Sequence, residues 1–524
     1  MNSLDYLVVA GYLVLMLLFG LLLRKQSGEG DYFLGNRSIG WLPLSLSAMA
    51  TQLSAISFIS APAFVGLREN GGLKWLTFEF ALPLAMLLVM FVIMPALYRS
   101  GVISIYDFLE QRIGRSTRFY VSFSFQIVRA FGTGIMVYAT GLIIQAVLGI
   151  PFLQSVLTIS IITIIYSLLG GIRAVVYADA VQMVLIVFGL LICLSFALST
   201  LGGFEMFWAN VDPERLQVVE WSYAGLIADE FALLPMLFGG FVLYASYYAC
   251  DQTQAQRSLS AKSLGDIRKL LLANAVLRFP ITLLYCVTGL AIGLVAANNS
   301  TFLAMIPADR PDYLMPFFIL EFLPHGIIGL LLVAIMSAAM STLSSAVNSL
   351  SAVSIEDLAV FGWKAQNRKQ EVRASRLAAL LWGTVILLFS TFAGDIAATV
   401  IEAINKVGSA LYGPVLGVFL LAILWERRTV LSTNAGFFAG IGLNLYFWQY
   451  QPSLFWMWWN VIGLVVTVGT AMLISIATGK MPLAKTLAPA TADQPSAIAV
   501  AAMTVFITLI TAGMILFSLQ LQNF

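Results

Sequence analysis

The sequence predicts an all-α integral membrane protein of about fourteen transmembrane helices, and three observations carry that prediction. Of the 524 residues, 60% are hydrophobic and only 10% charged, and the mean hydropathy is +0.92. Soluble proteins carry about 25% charged residues, so this composition cannot cover an ordinary water-facing surface. The apolar residues fall in runs of the roughly 20-residue length that crosses a bilayer's hydrocarbon. The basic residues between those runs collect on alternate loops, as they do when one side faces the cytoplasm.

Read in order, the spans lie near 4–24, 40–67, 73–99, 118–148, 152–171, 174–202, 230–251, 267–297, 313–355, 371–399, 403–427, 431–450, 454–477 and 496–520. The first run follows Met1-Asn2-Ser3-Leu4-Asp5, which lacks a basic leader, and is backed by Arg24-Lys25, so it reads as a retained span. The ninth stretch is too long for one crossing, and a short interfacial helix is expected before Pro324. With both termini outside, 21 of the 28 Lys and Arg residues fall in inner loops and four (Arg68, Lys74, Arg215, Arg310) in outer ones. The remaining three, Arg129, Arg278 and Lys406, lie inside spans. The expected location is the plasma (inner) membrane, with the lipid bilayer as solvent and a monomer as the working unit.

Several function classes are excluded. A net charge of +2 gives no sign of a nucleic-acid partner. The three cysteines have no paired spacing, and a lone histidine, His325, rules out a histidine metal cluster. No P-loop Gly-x-x-x-x-Gly-Lys is present, and no soluble catalytic domain or symmetric pore motif, so an ATP-driven pump, a sensor-enzyme and a channel are disfavoured.

Polar groups inside a bilayer are costly and mark either helix contacts or a pathway. Two spans are rich in them. The second runs Ser45 to Ser60 through Ser47, Thr51, Gln52, Ser54 and Ser57. The ninth places Ser341, Thr342, Ser344, Ser345 and Ser349 within nine positions. Close helix packing explains an isolated pair of hydroxyls. Five on successive turns point instead to a hard cation, which prefers oxygen ligands, with the remaining ligands supplied by carbonyls freed where a helix unwinds. Asp179, one to two turns into a span, is read either as a cation ligand or as the structural partner of Arg173.

These landmarks stand in a fixed order: Asp31-Tyr32-Phe33-Leu34-Gly35, Ile105 to Arg112, Gly170-Gly171-Ile172-Arg173-Ala174, Asp179 with Gln182, Asp251-Gln252, Gln256-Arg257 to Ser263, Ser341 to Ser345, and Asn348-Ser349. Together they resemble the sodium:solute symporter family, whose fold is that of LeuT, over about residues 4–430. The ninth span with Ser354-Ile355-Glu356-Asp357 is most similar to the branch that carries monocarboxylates, vitamins and iodide. Ile56 stands where the sugar branch often has Glu.

The resemblance implies one transmembrane domain over 1–524. Its inverted five-helix repeats lie at about 40–202 and 230–427, with flanking helices at 4–24, 431–450, 454–477 and 496–520. It implies a main sodium site of Ala50, Leu53 and Ala338 carbonyls with Ser341 and Thr342 hydroxyls. A second site, as in the sialic-acid branch, would use Asp179 with Ser341, Ser344 and Ser345, so one or two ions are expected per solute. The implied solute contacts are Gln52, Ser54, Ser57, Glu79, Arg129, Tyr244, Tyr247 and Lys406, with Arg278 just behind the pocket. Lys406 could pair with Glu79 across the pocket, and Arg278 could reach inner water. Alternatively Arg129 or Lys406 receives a carboxylate. The expectation is therefore sodium-coupled import, by alternating access and without enzymatic chemistry, of a small polar solute. An organic anion such as a monocarboxylate or sialic-type acid is favoured. The rivals are a sodium-coupled carrier of sugar or another neutral solute, and a proton-coupled carrier.

Overall fold

A computed structural model describes residues 1–26, 28–53, 55–221, 231–308, 310–363, 365–392, 400–478 and 497–522. The described chain is helical throughout. Eleven helices are long and apolar enough to cross a membrane, or twelve when the bent pair Trp41–Gln52 and Ser57–Gly66 is counted as one broken span. The sequence count of about fourteen differs in two places. One is the helix Phe152–Thr200, 49 residues long, which the sequence divides into two spans. At about 1.5 Å per residue it is more than twice the hydrocarbon thickness. Inside it Gly171 leaves helical geometry at φ +57 and ψ −155, and a Cβ there would meet the Tyr32 carbonyl oxygen. The other is Val430–Tyr450, whose Asn434, Asn444 and Gln449 dilute its apolar character. The short helix Leu314–Phe322 ends before Pro324, as the length of that stretch required.

The hydroxyl-rich helix Ile327–Val360 is the pillar of the bundle, packed against Ser3–Leu22, Trp41–Gln52, Arg115–Leu148 and Phe152–Thr200. Its Ser and Ala residues let neighbouring backbones approach closely, the usual device where lipid offers no hydrophobic drive between helices. Its first turn is tied to the N-terminus. The buried Asp5 carboxylate accepts from the amides of Gly326 (2.6 Å) and Gly329 (3.0 Å), and lies 3.0 Å from His325 Nδ1. The start of the pillar is thereby capped in the absence of a local side-chain cap.

Three short helices, Glu29–Leu34, Ile105–Arg112 and Gln252–Leu259, fill one end of the bundle. There the Arg118 guanidinium gathers Asp107 (2.7 Å), Glu110 (2.7 Å) and Asp357 (3.2 Å). More acids are buried than this arginine can neutralise. Burial, with Glu371 and Asp107 close by, pushes the Glu29 carboxyl up to about 7. Burial and Glu356 likewise raise Asp107. A carboxyl raised on folding contributes stability that is fully present below its unfolded value and lost as pH rises through its folded one. The melting temperature in detergent should therefore fall as pH rises from 5 to 8. Glu29→Gln should flatten that slope, and an unchanged slope in the variant would assign the pH response elsewhere.

Candidate functional site

The second span breaks at the end of Trp41–Gln52. Leu53 leaves the helix at φ −78 and ψ 73, and the axis beyond turns by 55°. The carbonyls of the last turn, Ala50 among them, run out of helical amide partners there. The middle of the pillar faces this break. Thr342 Oγ1 donates to the Ala338 carbonyl at 3.2 Å and reaches the Thr51 carbonyl at 3.5 Å. Ser341 Oγ beside it is buried and has the Asp179 carboxylate as a polar neighbour. Ala50, Leu53 and Ala338 are buried in the same layer.

A cavity of 260 Å³ lies beside this break, reaching from Trp75 and Phe78 at one end to Tyr106, Val121 and Ser124 at the other. The first end is roofed by rings: Phe64, Trp75, Phe78, Phe231, Phe455 and Trp456 meet with centroids 4.8 to 6.3 Å apart. Gln52, Ser57, Glu79, Arg129, Tyr244 and Tyr247 line the cavity, and so does Arg278, which the sequence placed just behind it. Gln52 Oε1 accepts from the Tyr248 hydroxyl at 2.6 Å. Lys406 is half-buried and lies outside the wall, which its helix reaches through Val407, Gly408 and Leu411. Ser54 lies outside the described residues.

The charges in the wall are paired, but not as the sequence suggested. Glu79 pairs with Arg278 at 3.1 Å, not with Lys406, and also accepts from Thr282 at 2.8 Å. Both members of that pair are buried, so Arg278 does not extend to water. Arg129 pairs with Asp251 and stacks over the Tyr247 ring at 5.7 Å. Asp251 also caps the helix Gln252–Leu259, accepting from the Thr253 amide at 2.8 Å.

Asp179 brings the largest correction. It does not meet Arg173, which bonds Asp31 at 3.0 Å and the Gly35 carbonyl at 3.3 Å. Its partner is Arg257, counted from sequence as an inner-loop cation but only 1% exposed. Arg257 Nη2 lies 2.8 Å from Asp179 Oδ2 and 2.5 Å from Thr51 Oγ1, and it also donates to Ser345 Oγ. Its Nε donates to Ser47 Oγ at 2.7 Å, and Ser47 Oγ in turn donates to Asp179 at 2.6 Å. Ser345 also reaches Asp179, at 3.4 Å, whereas the Ser344 hydroxyl turns to the Ser341 carbonyl at 3.0 Å. Sequence reasoning gave no role to Arg257, Asp251, Ser47 or Thr51. One signal was present: a lone buried acid demands a cation, and Gln252-Thr253-Gln254-Ala255-Gln256-Arg257 is a polar run fused to the end of an apolar span.

Comparison with known proteins agrees with this architecture. The pattern of the sodium:solute symporter family matches residues 32–443. The chain is 28% identical over 454 residues to sodium-coupled monocarboxylate transporter 2 of Danio rerio, covering 85% of this chain and 71% of that protein. It is 27% identical over 430 residues to the Homo sapiens sodium/iodide cotransporter, covering 82% and 66%. A sodium-coupled sialic acid symporter in a substrate-bound outward-open state superposes with a TM-score of 0.82 at 24% identity, covering 92% of this chain and 99% of that one. The fold is accordingly a LeuT-like core of two five-helix inverted repeats with flanking helices, and sodium is the coupling ion. A broken span facing a hydroxyl-rich pillar beside a closed-roofed cavity is the setting in which these matches fall, and the chain belongs to the sodium:solute symporter family, membrane transporters rather than enzymes.

Proposed function

We propose that the chain imports a small organic anion, in the first instance a monocarboxylate, together with sodium held between the broken span and the pillar. The observation that carries the sodium assignment is the approach of Thr342 to the Thr51 carbonyl beside a buried Ser341 hydroxyl that neighbours the Asp179 carboxylate. Ala50, Leu53 and Ala338 add carbonyls, making an oxygen-only site of the kind hard cations take. Bound there, sodium fastens the two halves of the broken span to the pillar. Each ion moved inward gains about 2.3 kcal/mol per 100 mV of membrane potential.

With the N-terminus outside, the aromatic roof is the outer gate and the cavity opens inward past Tyr106 and Ser124. The repeats at about 40–202 and 230–427 exchange these gates within a monomer of the plasma membrane. Arg129 supplies the solute's partner. Its guanidinium has five donors in a planar fork, enough to share between Asp251 and a solute carboxylate. Monocarboxylate, iodide and sialic acid, named for the similar proteins, are all anions at neutral pH. A second reading, a neutral polar solute, draws on a specific observation: Arg129 and Arg278 are each already matched by an acid in the cavity wall.

Uptake of radiolabelled pyruvate into proteoliposomes tests the first reading. Ser341→Ala with Thr342→Val should raise the half-saturating sodium concentration at least about tenfold, equivalent to ~1.4 kcal/mol. An unchanged sodium titration contradicts the site. Arg129→Gln should abolish pyruvate uptake while the protein still purifies as a single folded species. If the intact protein takes up a neutral sugar and ignores carboxylates, the neutral reading replaces the anionic one. Glu79→Gln should destabilise the protein by about 3–5 kcal/mol, because it strands a buried guanidinium. Adding Arg278→Met should restore much of the melting temperature, and adding Lys406→Gln should not.

A further inference from the structure

The charged side chains lining the cavity among the described residues are Glu79, Arg129, Asp251 and Arg278. Two carboxylates face two guanidinia, so this wall is neutral before any ligand enters. The two pairs differ in access. The Glu79 and Arg278 side chains are 1% and 6% exposed, whereas Arg129 keeps 14% and Asp251 9%. Arg129 is therefore the guanidinium that a solute reaches, and Asp251 is already on it.

Asp251 is also fixed in place. Its Oδ1 accepts from the Thr253 amide at 2.8 Å, and the helix Gln252–Leu259 that it caps is buried along its whole length. Gln252 bonds the Ile105 amide and the Ile103 carbonyl. Gln254 bonds the Ala48 carbonyl on the broken span, and Thr253 Oγ1 lies 2.9 Å from Ser349 Oγ on the pillar. Moving Asp251 aside would strand several of these buried polar groups, so it stays beside Arg129 when a second carboxylate arrives. That carboxylate gains hydrogen bonds from the rest of the guanidinium fork, yet it meets a cation whose charge is already matched. It adds one negative charge that no described residue of the wall offsets, in surroundings that solvate a net charge poorly. Thr51 and Thr342 line the same cavity, so an ion at the proposed sodium site faces the solute within one weakly screened space. Sodium brings the missing positive charge.

We propose that Asp251 is the residue that makes sodium obligatory for solute binding: by matching Arg129 beforehand, it leaves the charge of an anionic solute to be offset by the ion. Without that carboxylate, Arg129 alone neutralises the solute, and the anion binds and crosses with no sodium. Asp251 acts through Arg129 and need not touch the solute. The proposal rests on the anionic, sodium-coupled reading above.

Binding of 14C-pyruvate to the purified full-length protein, in sodium and in N-methylglucamine, tests it. Asp251→Asn removes the charge and keeps an oxygen for the Thr253 amide. Sodium should raise the pyruvate affinity of the intact protein at least about tenfold, and that of Asp251→Asn less than about threefold. The loss of dependence should come from tighter binding without sodium, which a merely structural role for Asp251 would not produce. An Asp251→Asn protein that keeps the intact dependence, or binds pyruvate no tighter without sodium, overturns the proposal. Should the variant melt early because Arg129 is left unmatched, pyruvate in the absence of sodium should restore its melting temperature, and failure to do so overturns the proposal as well. Sodium-independent binding by the intact protein leaves the anionic reading standing and removes this one. No pyruvate binding by the intact protein in sodium removes the anionic reading itself, and this proposal with it.

Discussion

In a bundle with this little charge, each ionised group inside it needs a partner within the protein, and that constraint organises the interior. The isolated Asp179–Arg257 pair would cost more in lost hydration than it returns in attraction. It is viable because Ser47, Thr51 and Ser345 accept from the guanidinium, and Ser47 also donates to Asp179 Oδ2. Those three hydroxyls come from the broken span and the pillar, while the two charges come from Phe152–Thr200 and Gln252–Leu259. Four elements are therefore locked by one charge requirement. Glu79–Arg278 and Arg129–Asp251 repeat the device around the cavity.

This pairing explains how a cavity with two arginines in its wall remains compatible with a lipid environment, and it is consistent with the anionic solute proposed above. Neither arginine carries an uncompensated charge, so the cavity needs no ligand to be stable. An arriving carboxylate need only share a guanidinium whose fork has unused donors. The proposed cation site is of a different kind. It is built from carbonyls at a helix break and two hydroxyls, and an ion held on neutral oxygens can leave on the other side.

Much of this was legible in the sequence because it is set by local pattern. Apolar run length located the spans, the overlong 313–355 stretch forecast the separate helix before Pro324, and the hydroxyl density at 341–349 marked the polar middle of the pillar. Cavity residues such as Gln52, Glu79, Tyr244 and Tyr247 were reached through family resemblance. Partnerships were not legible. Asp179 was offered Arg173 and Glu79 was offered Lys406, whereas the fold supplies Arg257 and Arg278, 78 and 199 residues away. Proximity in sequence is a poor guide where long helices cross a bilayer and return. Arg257 was misjudged for a further reason: loop-like polarity usually means water, and here a polar helix is folded back into the core.

The central claim is that sodium binds at the break in the second span, between its freed carbonyls and the hydroxyls of the pillar. Cryo-electron microscopy maps of the full chain recorded in sodium and in N-methylglucamine test it most directly. A difference peak between Ser341, Thr342 and the carbonyls of Ala50 and Leu53, with the Arg257–Asp179 contact unchanged, is the predicted result. No difference at the helix break would contradict it.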